Sequence, residues 1–410
     1  VVILLVTARV PYLPCTDGYR LIPANLIRRL SSKHEIHLVS FTVNDGSDED
    51  IEFAEKYCRS VSLIPISAHV QIRPNLACRL SPRWRRARLS PGNRDARRVV
   101  QKVLHARRYD VIHVESLHAA TYFVGACGDV PTLLACHDCQ SWRKRQLLSV
   151  KGPMVEKLRV WRQWRATRRL ERYLLPRVSS TVVVAERDAE ILVADNPGVD
   201  MHVIHNGVDC EYFQPPAQRI CRPTVIFTGN MAYFPNVRTA VTLGRSIFPR
   251  IRHAIPDAEL LIVGASPEPQ VTALGEMDGV TVTGFVNDMR DYLSRAAVYV
   301  CPMWIGTGIK NKLLEAMAMG LPVVSTPEAC SGLAVADGEN VLLATSEDEF
   351  VEQTVALLGD YARGDRIGGS GRALVEGEYS WDVAIRRYEE LLLSLESGGM
   401  LDHGLRGGNG

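Results

Sequence analysis

The chain has 410 residues, 46% of them apolar and 23% charged, which excludes a low-complexity or fibrous protein and leaves room for two separate cores. No apolar run approaches the roughly 18 residues of a membrane-spanning helix, and no basic and apolar leader reads as a secretory signal. The formal charge of +2 averages two opposites: residues 1–206 hold 26 Arg and 6 Lys against 20 acidic residues, while residues 207–410 hold 14 Arg and 2 Lys against 26.

In chain order, VVILLV at 1–6 is short, apolar and β-branched, the signature of a buried strand. A Pro- and Gly-rich loop, ARVPYLPCTDGY, leads to a helical pattern over 20–30. DED at 48–50 is the one acidic cluster resembling a metal motif, and it reads better as a helix start in GSDEDIEFAEKY. Further strands are predicted at 35–41, 110–116, 131–137, 180–185 and 201–206, with helices between them, notably 153–174 and 186–194. The positive excess peaks in 79–108 and 143–172, a field suited to an anionic partner or, more plainly, to solvated helical faces.

The alternation restarts after the Pro-rich stretch EYFQPPAQRICRP. Strands are predicted at 224–229, 258–264, 280–285, 297–302 and 321–326, with helices at 236–254 and 309–319 and a last one at 380–394. The fold class is α/β, two Rossmann-like domains end to end: 1–206, then 207–379, a closing helix at 380–396 and a flexible tail at 397–410. The ten cysteines are scattered, several within apolar runs, as in a cytoplasmic protein with reduced thiols. CHDC at 136–139 has metal-like spacing but lacks the second pair a structural zinc site needs.

One stretch, GTGIKNKLLEAMAMGLPVVST at 306–326, combines features that a packing role does not require. Lys310 and Lys312 are the only lysines after Lys157. They stand after a strand and a Gly-containing loop, where a helix begins and where ligands bind in open α/β sheets. Gly306 and Gly308 admit close approach of an anion to backbone amides, and the helix start adds its positive dipole. Glu315, one turn on, would repel phosphate but can accept hydrogen bonds from ribose hydroxyls. A nucleoside diphosphate accounts for both signs; two exposed lysines loosely paired with Glu315 are the plainer alternative.

That stretch resembles the nucleotide-sugar motif of retaining family-four glycosyltransferases of the GT-B fold (glycosyl transferases group 1), in particular bacterial sugar transferases of exopolysaccharide or secondary-metabolite pathways. VTARVPYLPCTDGYR, CHDCQSWR, VVVAERDAEIL, VIHNGVDCEYFQP, VIFTGNMAYFPNV and EYSWDVAIRRYEELL resemble other family segments, in family order along nearly the whole chain. The resemblance implies two Rossmann-like domains facing across a cleft and hexosyl transfer from a nucleoside-diphosphate sugar, a substrate and not a cofactor, with UDP favoured. It implies retention of configuration and no divalent metal. Glu315 would bind the donor ribose, Lys310 and Lys312 would neutralise the diphosphate, and Gly18 would let the first domain's loop close over it. His137 would contact the donor sugar. Gly229, Asn230, Thr307, Gly308 and Ile309 complete the implied donor site, with the backbone of Phe285 and Val286 along the base. Asp17, Arg20, Asp138 and Trp142 are the acceptor-side candidates.

The sequence departs from the family where a second, sugar-contacting Glu is common, since that position is Thr307. It departs again where an Arg and a Lys often meet the diphosphate, since Asn230 and Pro235 stand there. The lysine charge at 310 and 312 replaces the missing cations. The alternatives are a nucleotide-sugar epimerase of the same fold and a catalytically silent nucleotide-sugar-binding partner subunit. A dehydrogenase lacks its G-x-G-x-x-G, and nucleic acid is the weakest reading of the basic segments. The basic first domain suits a lipid-linked, glycan or small-molecule acceptor, and peripheral contact with an anionic inner membrane face through Trp161 and Trp164.

Overall fold

A computed structural model describes residues 1–13, 18–42, 48–65, 92–124, 126–149, 153–217, 222–305 and 309–398. They form two compact units, one of Val1–Ile204 joined by the chain from Ile385 onward, the other of His205–Ala384.

The first unit runs β1 (Val2–Thr7), α1 (Gly18–Leu30), β2 (Glu35–Thr42), α2 (Asp48–Tyr57), β3 (Ser60–Pro65), α3 (Gly92–Ala106), β4 (Val111–Glu115), α4 (Leu117–Phe123), β5 (Thr132–His137), α5 (Gln140–Gln146), α6 (Met154–Leu174), β6 (Ser180–Val183), α7 (Glu186–Asp195) and β7 (Met201–Val203). Its sheet has the order β3-β2-β1-β4-β5-β6-β7 with every pairing parallel. Such strands are buried on both faces, which is why VILLVT and VIHVE lack an apolar–polar alternation. The strand order reverses between β1 and β4, so the crevice for a ligand lies at their carboxyl ends.

The second unit repeats the plan with β8 (Thr224–Thr228), α8 (Phe234–Thr242), α9 (Phe248–Ala254), β9 (Glu259–Val263), α10 (Pro269–Thr272), β10 (Val280–Val282), α11 (Arg290–Leu293), β11 (Val298–Cys301), α12 (Asn311–Ala318), β12 (Val323–Ser325), β13 (Leu342–Leu343), α13 (Glu347–Gly359) and α14 (Tyr361–Glu378). Its parallel sheet has the order β10-β9-β8-β11-β12-β13 and reverses between β8 and β11. The single helix predicted over 236–254 is instead α8, a π-helical turn at Leu243–Ile247, and α9. Pro249 explains the break: its ring would clash with the carbonyl four residues back, and the wider turn makes room. DED opens α2, as the sequence suggests.

The closing helix, α15 (Trp381–Glu396), starts in the second unit and ends in the first. Within the first unit, Glu389 accepts from Lys33 Nζ at 2.9 Å and pairs with His34 Nε2 at 3.0 Å, while Tyr388 stacks on His113 at 5.5 Å between centroids.

α14 is helical despite five glycines, at 364, 368, 369, 371 and 377. The cost of glycine there is offset by proximity, because a Cβ at Gly368 would overlap the carbonyl oxygen of Gly320 and stand 3.0 Å from Pro322 N. Backbone atoms cannot swing aside. Gly368→Ala should therefore destabilise the second unit by about 2–4 kcal/mol. Gly369→Ala, whose Cβ meets nothing within 4 Å, should stabilise it by about 0.5–1 kcal/mol. Urea unfolding of the two variants checks the contrast.

Candidate functional site

In the second unit, three loops at the carboxyl ends of β8, β9 and β10 touch through glycine. The carbonyl oxygen of Gly229 occupies the place where a Cβ on Gly264 would stand, and Gly264 N–H donates to Gly284 O at 3.2 Å. Gly264 and Gly284 have φ of 148° and 70°, conformations that side chains rarely adopt. This backbone floor ends in Phe285, whose ring is 75% exposed, and the half-buried Val286.

Lys312 reaches that floor from the first turn of α12. Its Nζ donates to Asn236 Oδ1 and lies 4.9 Å from the centre of the Phe227 ring. Asn236 Nδ2 in turn donates to Asn230 O at 2.9 Å, and Asn230 Oδ1 accepts from Ala232 N–H at 2.9 Å. A Cβ on Gly229 would stand 2.8 Å from Lys312 Nζ and 2.7 Å from Asn236 Nδ2, so only glycine admits the ammonium here. Asn230 thus orders the loop rather than supplying charge.

Lys310 is the N-cap of α12, its carbonyl accepting from Leu313 N–H at 2.8 Å. Burial, with the like charge of Lys312 adding to it, pushes the Lys310 ammonium down to about 8. Burial lowers Lys312 as well and raises the Glu315 carboxyl, a rise that Lys312 partly opposes. Ile309 packs its side chain toward Gly332. Between the lysines stands Asn311, whose Oδ1 is buried without a hydrogen-bond partner among the described residues. Asn311 is not among the residues predicted for the site, although its place in sequence between Lys310 and Lys312 was the available signal. Thr307 and Gly308 lie outside the described residues.

The first unit carries its own cluster at the carboxyl ends of β1, β4 and β5. Gly18 opens α1, and Asp17 lies outside the described residues. His137 ends β5 at a register break with φ 63°, Nε2 standing 2.9 Å from Glu115 Oε2. Asp138 pairs with Arg143 at 2.9 Å through Oδ2. Trp142 lies beneath Arg145 and Arg187, 5.4 and 5.7 Å from the ring centre. Arg20 stacks on Tyr12 at 4.9 Å. Arg20 Nε, Asp138 Oδ1 and Trp142 Nε1 are buried and unpartnered among the described residues, the condition of groups that await a ligand or water. In the CHDC segment, burial raises the Cys136 thiol well above its ordinary value and Cys139 to about 11, so both stay protonated at neutral pH. Among the described residues no group of His, Cys, Asp and Glu has the arrangement to hold a metal ion.

The chain matches two family models in tandem, Glycosyltransferase Family 4 over residues 23–212 and Glycosyl transferases group 1 over residues 222–360. A GDP-mannose-dependent alpha-(1-6)-phosphatidylinositol monomannoside mannosyltransferase of Mycobacterium tuberculosis is 28% identical over 231 residues, 48% of this chain and 57% of its own. A GDP-mannose-dependent monoacylated alpha-(1-6)-phosphatidylinositol monomannoside mannosyltransferase of Corynebacterium glutamicum is 30% identical over 158 residues, 36% of this chain and 42% of its own. The chain thus spans about half the length of the curated relatives it matches. Anabaena HepE, solved with UDP and glucose, superposes with a TM-score of 0.65 at 14% identity, covering 96% of this chain and 99% of that one. Sucrose-phosphate synthase of Thermosynechococcus elongatus does so at 0.67 and 18%, covering 97% and 100%. These likenesses carry the GT-B fold.

The depressed Lys310 gives a pH signature. Its ordinary value is 10.5 and its folded value about 8, so the unfolded chain holds the proton more firmly between them. The desolvation cost is fully present below about pH 8 and is relieved as pH rises from about 8 toward 10.5. Lys310→Met should therefore be more stable than the parent at pH 7, and the advantage should shrink by pH 10. Thermal unfolding across that range checks the sign.

Proposed function

We propose that this chain, which belongs to the glycosyltransferases of family 4 and group 1, moves a hexose from a nucleoside-diphosphate donor to an acceptor hydroxyl, with retention and without a divalent metal. The observation that carries this reading is Lys312 seated against the Gly229 loop at the switch point of the second sheet, with Lys310 at the N-cap of the same helix. Two ammonium groups, a helix start and bare backbone answer the charge of a leaving diphosphate, and they act where water is largely displaced. Asn311 Oδ1, like the Glu315 carboxylate, would accept from a hydroxyl of the donor. Retention follows from the family resemblance, in which the departing phosphate helps deprotonate the acceptor on the same face.

Two arguments bear on the donor. The sequence reading favours uracil, whereas the names of the mycobacterial and corynebacterial relatives favour guanine and mannose. Those names also favour a lipid-linked acceptor. The first unit offers a surface for one. Residues 153–166, nearly the first four turns of α6, include no buried residue, and Met154, Val155, Leu158 and Trp161 expose 80, 81, 45 and 39% of their surface. Lys157, Arg159, Arg162 and Arg165 stand in the same segment, Arg165 over the Trp161 ring, with Glu156 the one acid among them. Apolar stripe and cationic neighbours match an anionic lipid surface. Of the two tryptophans expected as anchors, Trp161 is exposed and Trp164 half-buried. No helix among the described residues is long and apolar enough to cross a membrane.

Thermal unfolding with UDP, GDP, ADP and TDP, without added metal, tests the donor site. At a hundred times its dissociation constant the correct nucleotide should stabilise by about 2.7 kcal/mol. Lys310→Ala/Lys312→Ala and Glu315→Ala should lose that gain. If none of the four stabilises the parent, the donor-site reading fails. If one does but no hexose from its sugar nucleotides reaches any acceptor, the silent binding subunit takes its place, and interconversion of the free sugar nucleotide would instead mark the epimerase.

For the acceptor side, vesicles rich in anionic phospholipid should pellet the protein at low salt. They should release it near 1 M salt, where screening falls to about 3 Å. Val155→Ser/Trp161→Ala should weaken binding severalfold without lowering thermal stability, and no binding by the parent would remove the lipid-surface reading.

A further inference from the structure

The exposed face of α6 changes character halfway along, and the proposed transfer has no use for its second half. Met154, Leu158, Trp161, Arg165, Arg169 and Arg172 succeed one another at spacings of four or three and are all exposed, so they line one side of the helix. Thr167, Glu171 and Leu174, at the same spacings, are buried on the other side. At 1.5 Å per residue the exposed line is roughly 27 Å long. Its first half is apolar and its second half cationic. The change comes where the Arg165 guanidinium lies 4.8 Å from the centre of the Trp161 ring.

The cationic half is short of acid. From Arg159 to Arg177 every charged residue but Glu171 is an arginine, and Glu171 is buried, accepting from Ser141 N–H at 2.9 Å. Asp195, in α7, accepts from Arg168 with both oxygens, which holds its carboxyl below the ordinary value. Arg172 and Arg145 add only weaker attraction to that group from farther off. Among the described residues no carboxylate pairs with Arg169 or Arg172. Like charges three and four residues apart on a helix repel, as Arg165, Arg169 and Arg172 do. The row therefore costs stability unless an anion comes to it. Its end is shaped as well as charged. Arg169, Arg172, Tyr173 and Arg177 line a surface hollow of about 670 Å³. Arg177, just past the helix, is set in place: its guanidinium stacks 4.0 Å from the Tyr173 ring centre, and its Nη1 donates to Tyr173 O at 2.7 Å. Three guanidinium groups round one hollow suit a compact anion of nearly two charges with several free oxygens, a phosphomonoester, better than a carboxylate or a phosphodiester.

We infer that this hollow takes the phosphomonoester headgroup of a membrane lipid, while Met154, Val155, Leu158 and Trp161 enter the apolar region beside it. A lipid answers the whole face, because the cationic row and the apolar stripe lie on one side of the same helix. A soluble phosphate compound would fill the hollow and leave the stripe in water. The inference deepens the lipid-surface reading and rests on it: α6 selects among anionic lipids instead of answering to charge alone. The cationic end holds the phosphate, and the apolar end fixes which way the helix lies on the surface.

Vesicles matched for surface potential, one set charged by phosphatidylglycerol and the other by phosphatidic acid, separate headgroup from charge. The full chain should bind the phosphatidic acid set about tenfold more tightly, the scale of one hydrogen bond between charged groups. Arg169→Gln/Arg172→Gln should abolish that preference without lowering thermal stability, since it removes a repulsion. Arg159→Gln/Arg162→Gln takes the same charge from the same helix, so it should weaken binding to both sets and keep the preference. Glycerol 3-phosphate, the headgroup without its chains, should displace the protein only at concentrations far above those of the lipid phosphate. A parent without preference, or a preference that both double variants lose alike, would overturn the inference and leave the lipid surface standing. Binding to neither set of vesicles would overturn both, and tight binding of glycerol 3-phosphate in that case would assign the hollow to a soluble phosphate.

Discussion

The second unit depends on a place where backbones touch. At the carboxyl edge of its sheet the loops after β8, β9 and β10 meet through Gly229, Gly264 and Gly284, with no side chain between them. A Cβ on Gly264 would displace the Gly229 carbonyl, and one on Gly229 would displace Lys312. The lysine is therefore set by the absence of other atoms as much as by its own contacts. The apparatus behind it follows from that contact: Asn236 receives Lys312, Asn230 is tied by Asn236, and α12 begins where the chain can return to the loop.

That arrangement gathers positive charge in a half-buried space. Lys310 and Lys312 are both held below their ordinary values, Glu315 above its own, and Asn311 keeps a buried oxygen unpaired among the described residues. Each departure costs stability in the protein as it stands, and each would be relieved by an anion bearing hydroxyls. The first unit also buries polar groups. Glu115 has an imidazole nitrogen 2.9 Å from each carboxylate oxygen, and neither oxygen has a hydrogen-bond partner among the described residues. Ser116 and His137 beside it have positive φ.

Much of this was legible in the sequence. The runs at 1–6 and 224–229 announce buried parallel strands, and the pairing of Lys310 with Lys312 in a chain sparing with lysine marks the loop that the fold brings against Gly229. What was not legible has physical causes. α14 is absent from the predicted helices because its glycines give it a low propensity, whereas Gly368 lets Gly320 and Pro322 approach. The π turn was hidden because periodicity cannot tell a break from a bend. The sharing of α15 between units follows from tertiary packing of Tyr388 and Glu389, which no local pattern encodes. Glu115 was visible in principle: in DVIHVES, a His and a Glu fall two apart on an otherwise apolar strand, hence on one face. The apolar residues around the pair dominate the pattern and specify only a buried strand.

The choice of lysine at 310 and 312, in a chain that otherwise uses arginine beyond Lys157, follows from the same contact. The space beside Gly229 admits one small ammonium, already close enough to touch an added Cβ, and a planar guanidinium would meet the loop with several atoms at once. Arginine would also stay charged whatever its surroundings. An ammonium can release its proton when desolvated, and Lys310, at about 8, does so as pH rises through that value, while at neutral pH it stays mostly charged. A diphosphate would favour the charged form and hold the proton to higher pH, so binding of the anion above about pH 8 would draw in a proton.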